Sequence, residues 1–392
     1  YVDDGVVAEP DLGCRASGSC SAYGWALKTV LGPALNLKKL ATTGVLAAIK
    51  TVWGLSFDLS GIVDGPQFAF VTLTSSKFIK MTTWAALPST QPGVRRVLVK
   101  DHQKLVGNVQ WWSTCSPALR SLLPSLYSAS AFAEGQYLDL PSEAAWLEYD
   151  DAKALLLFFI DMGESRPDLF RASLVDALDF YDAARLPVGL DIKVRYIGSD
   201  ANGLETGGVM SAVDYLAGTW AVARADEYAE DLMRLCAESS EATVDTELII
   251  LVTELLAVIA LAAQHCSSWS GYLVAAMIDN EGARIALSTR RSRNRYVRYL
   301  LLVMGRLEFE YKFRVVAYYV NTKTNWFLDY IGRDLDLDAP DALETLQREL
   351  IDQHCPGFVY EPLDTLLRFF TSGGSVLRSF EVPGELFPEQ VE

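Results

Sequence analysis

The chain is poor in the residues that build soft-metal and thiol sites. Among 392 residues there are three histidines (His102, His265, His354) and six cysteines (Cys14, Cys20, Cys115, Cys236, Cys266, Cys355), with no CxxC pair. That spacing excludes a zinc finger or ribbon and reads as reduced thiols in an intracellular protein. Positive charge is also scarce, with 34 Lys and Arg against 50 Asp and Glu, net −16. Such a balance counts against nucleic acid as a partner, because phosphate binding draws on Lys and Arg. The acidity is uneven, however: residues 334–392 hold 13 acids and 3 bases, net −10, which leaves −6 for the first 333 residues. A membrane-length run is missing too. Leu248–Ala263 is apolar for 16 residues with Glu254 at its middle, short of the roughly 18–20 that a bilayer requires. A buried core helix is expected there, and no membrane partner. No Met and no charged-then-apolar leader opens the chain, so further polypeptide is expected before Tyr1.

What is present is a globular composition, 50% hydrophobic and 21% charged, long enough for two or three cores. Residues 1–130 mix strand-like runs such as FAFVTL (Phe68–Leu73) with a helical stretch over Asp101–Cys115, punctuated by Pro88, Pro92, Pro117 and Pro124; they read as part of an α+β domain. Residues 131–190, with AKALLLFFIDM and LVDALDFYDAARLP, read as a mainly helical connection. After Pro187 the period changes to three short strands over 193–200, 206–213 and 216–223, a meander. Then follow a helix from about Asp245 to Gln264, a strand Gly271–Asp279, an Arg-rich helical segment from about Arg291 to Glu308, a strand Lys312–Val320 and a short helix from Asn325. The order β-β-β-α-β-α-β-α predicts a mixed sheet with flanking helices over 191–334. Residues 335–392 read as an acidic, partly helical extension.

Four acids fall where such a sheet concentrates chemistry. Asp200 and Asp279 end strands, Glu254 interrupts the apolar helix, and Asp329 lies in the helix after the last strand. Each has a bland alternative: a turn residue for Asp200 in SDANG, a solvent-reaching or Arg-paired helix acid for Glu254, an N-cap before NEGARIAL for Asp279, and an exposed helix acid for Asp329. Converging at one sheet edge, the four would form the oxygen-rich site that Mg²⁺ prefers. Two such ions suit phosphodiester hydrolysis by in-line displacement.

With YIGSDANGLETGGV (196–209), VTELLAVIALAA (252–263), MIDNEGA (277–283) and VNTKTNWFLDYIGRD (320–334), the order of elements resembles a retroelement ribonuclease H. The resemblance implies that Asp200, Glu254, Asp279 and Asp329 hold two Mg²⁺ ions, with Mn²⁺ as substitute, and cut the RNA strand of an RNA–DNA hybrid. Asn325, Asp329 and Arg333 match the family's final stretch. Leu328 and Gly332 stand where relatives usually have Ala and Ser, and Tyr319–Asn325 holds no His, differences that bear on turnover rather than on metal binding. YVDD at the start, LGPALNLKKL (31–40) and VWGLSFD (52–58) resemble the end of a reverse-transcriptase palm, and His102–Tyr127 resembles the thumb. The wording is most similar to tyrosine-recombinase retrotransposons of the DIRS type.

The resemblance implies a partial palm and thumb over 1–130, a connection over 131–190 and a ribonuclease H-like mixed sheet over 191–334. It makes Asp3 and Asp4 two of the polymerase metal ligands. The third lies upstream with the fingers, so this chain alone is not expected to polymerise. Primer-template contact is expected from Trp53 and Gly54, and hybrid contact from Asn280, Asn325 and an Arg cluster in which Arg291, Arg295 and Arg298 would share one helix face. A solvated face paired with the acidic tail is the alternative for the cluster. Trp111 and Trp112 suit a core better than a base-stacking platform. The expected location is the nucleus or cytoplasm of a eukaryotic host. A decayed remnant that folds and binds without cutting is the competing reading of the whole.

Overall fold

The computed structural model describes residue 22 and residues 49–52, 54–61, 64, 68–177, 192–202, 208–224, 246–334 and 339–363. Asp3, Asp4, Lys38, Lys39, Trp53, the side chain of Arg333, the linker 225–245 and the tail 364–392 lie outside the described residues.

The front half is built on a four-stranded antiparallel sheet, ordered β1 (Ile49–Val52), β2 (Leu55–Asp58), β3 (Phe70–Leu73) and β4 (Arg171–Ser173). Directly before β2, Gly54 takes φ +84°, the left-handed region that glycine enters without steric cost. Its carbonyl accepts from the Thr74 hydroxyl at 3.0 Å. β4 follows the long helix over Glu143–Ser165 in the chain and pairs with β3, so a segment distant in sequence closes the sheet. Helices α1 (Ser75–Ala85), α2 (Val99–Trp112), α3 (Leu123–Ser130) and α4 (Glu143–Ser165) pack with the sheet around one apolar cluster. Trp112 is buried in that cluster and Trp111 lies at its margin, as their helical spacing predicted.

The second half is the expected mixed sheet with flanking helices. The meander forms as β5 (Val194–Ala201), β6 (Val209–Asp214) and β7 (Thr219–Arg224), antiparallel in turn. β8 (Leu273–Ile278) then pairs parallel to β5, and β9 (Arg314–Tyr319) parallel to β8. Helices α5 (Thr246–His265), α6 (Glu281–Thr289) and α7 (Arg295–Tyr311) enclose a large core on one face of the sheet. α5 is apolar on nearly every side, as a helix surrounded by protein must be. Its Leu248–His265 stretch is long and apolar enough to cross a membrane by length and composition, yet it is 72% buried within this fold. On the opposite face of the sheet lies α8 (Trp326–Asp334).

Two features depart from the sequence expectation. The Arg-rich helix begins at Arg295 rather than Arg291: Arg290 adopts the left-handed φ of +54° that ends α6. Asn294 then caps α7 by accepting from the amides of Tyr296 and Val297. The second departure is at the C-terminal side. Residues 339–363, expected as part of an appendage, form a short helix α9 (Ala342–Leu346), a further helical turn and a strand β10 (Val359–Tyr360) that pairs parallel to β7 and lengthens the sheet to six strands.

The halves share a core through α7. Leu302 and Phe309 of that helix belong to the front cluster, and Phe309 stacks on Phe159 of α4 with centroids 4.1 Å apart. The approach is closest at Gly305, where a Cβ would lie 1.9 Å from the Ser121 Oγ and 2.4 Å from its Cβ. Gly305→Ala is therefore expected to destabilise the chain by roughly 1–3 kcal/mol through overpacking, seen as a lower chemical-denaturation midpoint. Ser121→Gly in the same chain should recover part of that loss; an unchanged midpoint for Gly305→Ala alone would refute this contact.

Candidate metal-binding acid site

Asp200 is the penultimate residue of β5, where the chain leads to β6 on one side and β8 lies on the other. Ligands of open α/β sheets gather at the carboxyl ends of strands flanking such a reversal. The strand alternation puts Tyr196, Gly198 and Asp200 on the face that α8 covers. A Cβ on Gly198 would come within 2.8 Å of the Leu328 Cδ1, so glycine permits that close approach. Asp200 is buried, and the Asn325 side-chain amide donates to its Oδ1 and to the Ser199 carbonyl, each at 3.4 Å.

Glu254 reaches the same point from α5. It is 2% exposed, so the solvent-reaching alternative for it fails. One oxygen, Oε1, accepts from the Ala201 amide at 3.2 Å, which ties the helix to the end of β5. The other, Oε2, is buried without a hydrogen-bond partner. Asp279 follows β8 directly and is half-buried. It is not the helix cap: Asn280 caps α6, its Oδ1 accepting from the Ala283 amide at 3.0 Å. Asn280, expected to touch nucleic acid, thus commits its side-chain oxygen to the helix, and Asp279 is left to face its neighbours.

Asp200, Glu254 and Asp279 each offer an oxygen within 4.8 Å of the other two. Burial pushes the Glu254 carboxyl well above the usual carboxylate range, and the negative charges of Asp200 and Asp279 push it further in the same direction. Three acids held this close are costly unless a cation or a proton joins them. The donor set is all carboxylate oxygen, the chemistry that Mg²⁺, Mn²⁺ and Ca²⁺ select. The unpartnered Glu254 Oε2 supplies a buried acceptor for such an ion, so these residues fit a divalent metal.

Asp329 stands outside this 4.8 Å group. It is half-buried in the first turn of α8, its amide donating to the Asn325 carbonyl at 3.1 Å. The structure therefore joins three of the four expected acids and connects the fourth through Asn325.

The Arg cluster divides. Arg298 is buried and donates from Nε and Nη2 to the two oxygens of Glu148, at 2.6 and 2.8 Å. That corrects its expected place on a phosphate-facing surface: α4 of the other half claims it. Glu148 opens the acidic turn EYDD directly before the apolar run ALLLFFI, on a helix that such a run must bury, and a buried acid there calls for a cation. Arg290 is buried against Glu308, and Arg284 pairs with Glu281 at 2.7 Å. Arg291 and Arg293 remain exposed and Arg295 is partly buried. Gly54 lies against Lys77 of α1.

The raised Glu254 carboxyl sets a sign for pH dependence. The folded state holds this proton more tightly than the unfolded chain does, so with metal removed its contribution to stability falls as pH rises above about 4.5. Glu254→Gln should remove that decline. In chelator at pH 8 the variant is expected to be more stable than the parent by on the order of 1 kcal/mol, with the gap closing towards pH 4.5. Thermal melts of both proteins across that range test this, and parallel curves would refute it.

No family model matches the chain, and neither does any curated protein. Among solved structures, a foamy viral protease-reverse transcriptase dRH in complex with double-stranded DNA is similar at 14% identity and a TM-score of 0.23, over 70% of this chain. The chain spans 38% of the length of that protein.

Proposed function

We propose that this chain is the C-terminal portion of a retroelement reverse transcriptase, of the DIRS type, and that its acid site hydrolyses the RNA strand of RNA–DNA hybrids. The observation that carries the reading is the convergence of Asp200, Glu254 and Asp279 from two strand ends and a buried helix, with one buried Glu254 oxygen unpartnered. In this reading the three carboxylates hold the metal, two ions in all, and Asp329 completes the set from α8. Divalent cations held there supply charge stabilisation for phosphoryl displacement and a water of lowered pKa. Asn325 orients Asp200, the Ala201 amide orients Glu254, and the exposed Arg291 and Arg293 with Arg295 offer charge to the hybrid's phosphates.

The remaining organisation follows from the same reading. Residues 1–130 are the end of a palm and a thumb, 131–190 a connection, and 191–334 the hydrolase domain. Asp3 and Asp4 act with a third acid and the fingers of a polymerase, and Trp53 and Gly54 touch the primer-template. The protein works in the nucleus or cytoplasm of a eukaryotic host. A second reading, a non-cutting remnant that binds nucleic acid or protein, is favoured by one observation: Asp329 lies outside the 4.8 Å group that the other three acids form.

A labelled RNA–DNA hybrid with Mg²⁺ separates the two. The expected result is loss of the RNA strand with the DNA strand intact, and a fall of at least about 100-fold for Asp279→Asn, the scale on which removal of transition-state charge stabilisation acts. Equal cleavage by the variant would place the chemistry elsewhere. Hybrid binding without cleavage by the parent protein would favour the remnant.

A further inference from the structure

α8 is a nine-residue helix that carries two of the groups around the acid site, Asp329 on its first turn and Asn325 just before it. A helix of that length has little stability of its own and takes its position from packing. On its sheet side Leu328 lies over Gly198, and the Leu328 carbonyl accepts from the Ser211 hydroxyl at 3.2 Å. Phe327, Leu328 and Ile331 then join Leu346, Leu350 and Ile351 of the C-terminal segment, with Trp220 of β7, in one buried cluster. At the end nearest Asn325, the Trp326 ring meets His354 edge to face at 5.0 Å. The helix is therefore held between the sheet and residues 339–363.

That segment is itself anchored at several points. β10 pairs with β7, and the Gln347 side chain accepts from the Trp220 indole at 2.7 Å while donating to the Phe358 carbonyl at 2.8 Å. The Tyr360 ring packs on Trp220, and Leu363 enters the core on the far face of the sheet. Meanwhile the Asn325 contacts to Asp200 and Ser199 are long, at 3.4 Å each. Contacts at that distance weaken quickly if the helix moves outward by a few tenths of an ångström.

We propose that residues 339–363 are a positioning element for the acid site: through Leu350, Ile351 and His354 they press α8 against the sheet, and so set Asn325 and Asp329 relative to Asp200. The proposal rests on the metal-site reading above, but not on hydrolysis. The segment supplies no metal ligand. It fixes the helix that orients one ligand and carries another, the role in which supporting contacts commonly change metal affinity by about 10–100-fold.

The test uses the full chain, calorimetric titration with Mn²⁺, the Mg²⁺ dependence of hybrid cleavage, and thermal melting. Ile351→Ala is expected to weaken Mn²⁺ binding and raise the Mg²⁺ requirement by about 10-fold. Ile351→Val should move both in the same direction by less, and it decides the matter if the alanine variant does not fold. Leu156→Ala, in the front core, is expected to lower the melting temperature while leaving metal affinity unchanged. Wild-type metal affinity in both Ile351 variants would overturn the proposal, as would an equal loss in Leu156→Ala. If the parent protein binds Mn²⁺ but cuts no hybrid, hydrolysis fails as its function while the titrations still judge the positioning role. A parent protein that binds no metal overturns both.

Discussion

The second half of this molecule is organised around a carboxylate that cannot be comfortable where it is. Glu254 sits in the middle of the most apolar of the described helices, 2% exposed, beside two further acids. Desolvation and like-charge repulsion act on it together. An arrangement of that kind persists because the surrounding structure over-determines it. α5 is enclosed by the sheet, α6 and α7, and the Ala201 amide grips one Glu254 oxygen, so the side chain is held towards the ends of the strands rather than out to solvent. The same enclosure that raises the cost also aligns the helix with the ends of β5 and β8, which is what brings three carboxylates to one point.

The rigidity of that enclosure extends beyond the sheet that carries the acids. α7 faces two cores at once, contributing Leu300, Leu301 and Val303 to one and Leu302 and Phe309 to the other. Arg298 on the same helix reaches Glu148, and Arg314 at the start of β9 donates to the Asp176 carbonyl. Truncating one partner of a buried ion pair strands the other charge, so Glu148 and Arg298 are coupled although 150 residues separate them. The acid site is thus mounted on a helix-and-sheet body that the front half braces from the opposite side. At the sheet's other edge β10 covers β7, which would otherwise present an open strand edge.

Much of this was legible in the order of residues. The β-branched and aromatic runs KVRYIGSD and GYLVAAMID, bounded by turn residues, report strands, and the long apolar run around Glu254 reports an enclosed helix. Their boundaries fell within a few residues of β5, β8 and α5. Asp200, Glu254 and Asp279 stood out because a charge in those settings needs a reason. The burial of Arg298 was not legible, because six arginines in fifteen residues look like a phosphate-facing or solvated face until a distant acid is known to reach one of them. The segment 339–363 was misjudged for a related reason. The acidity of residues 334–392 as a whole masks it, while its own apolar residues, among them Leu346, Leu350, Ile351 and Leu363, are spaced for a surface that lies on other elements.

The sequence by itself determined the elements of the mixed sheet from β5 to α8, their order, and that Asp200, Glu254 and Asp279 are forced into poor solvent. Hydrophobic period and turn chemistry act over a few residues, and they settle such questions locally. Tertiary structure alone decided that those three acids share a point within 4.8 Å while Asp329 stands one helix turn beyond Asn325. It decided likewise that Arg298 belongs to Glu148 and that the C-terminal segment closes over α8. Those outcomes depend on where separate elements pack, and a side chain's partner across the fold is set by geometry that no local period encodes.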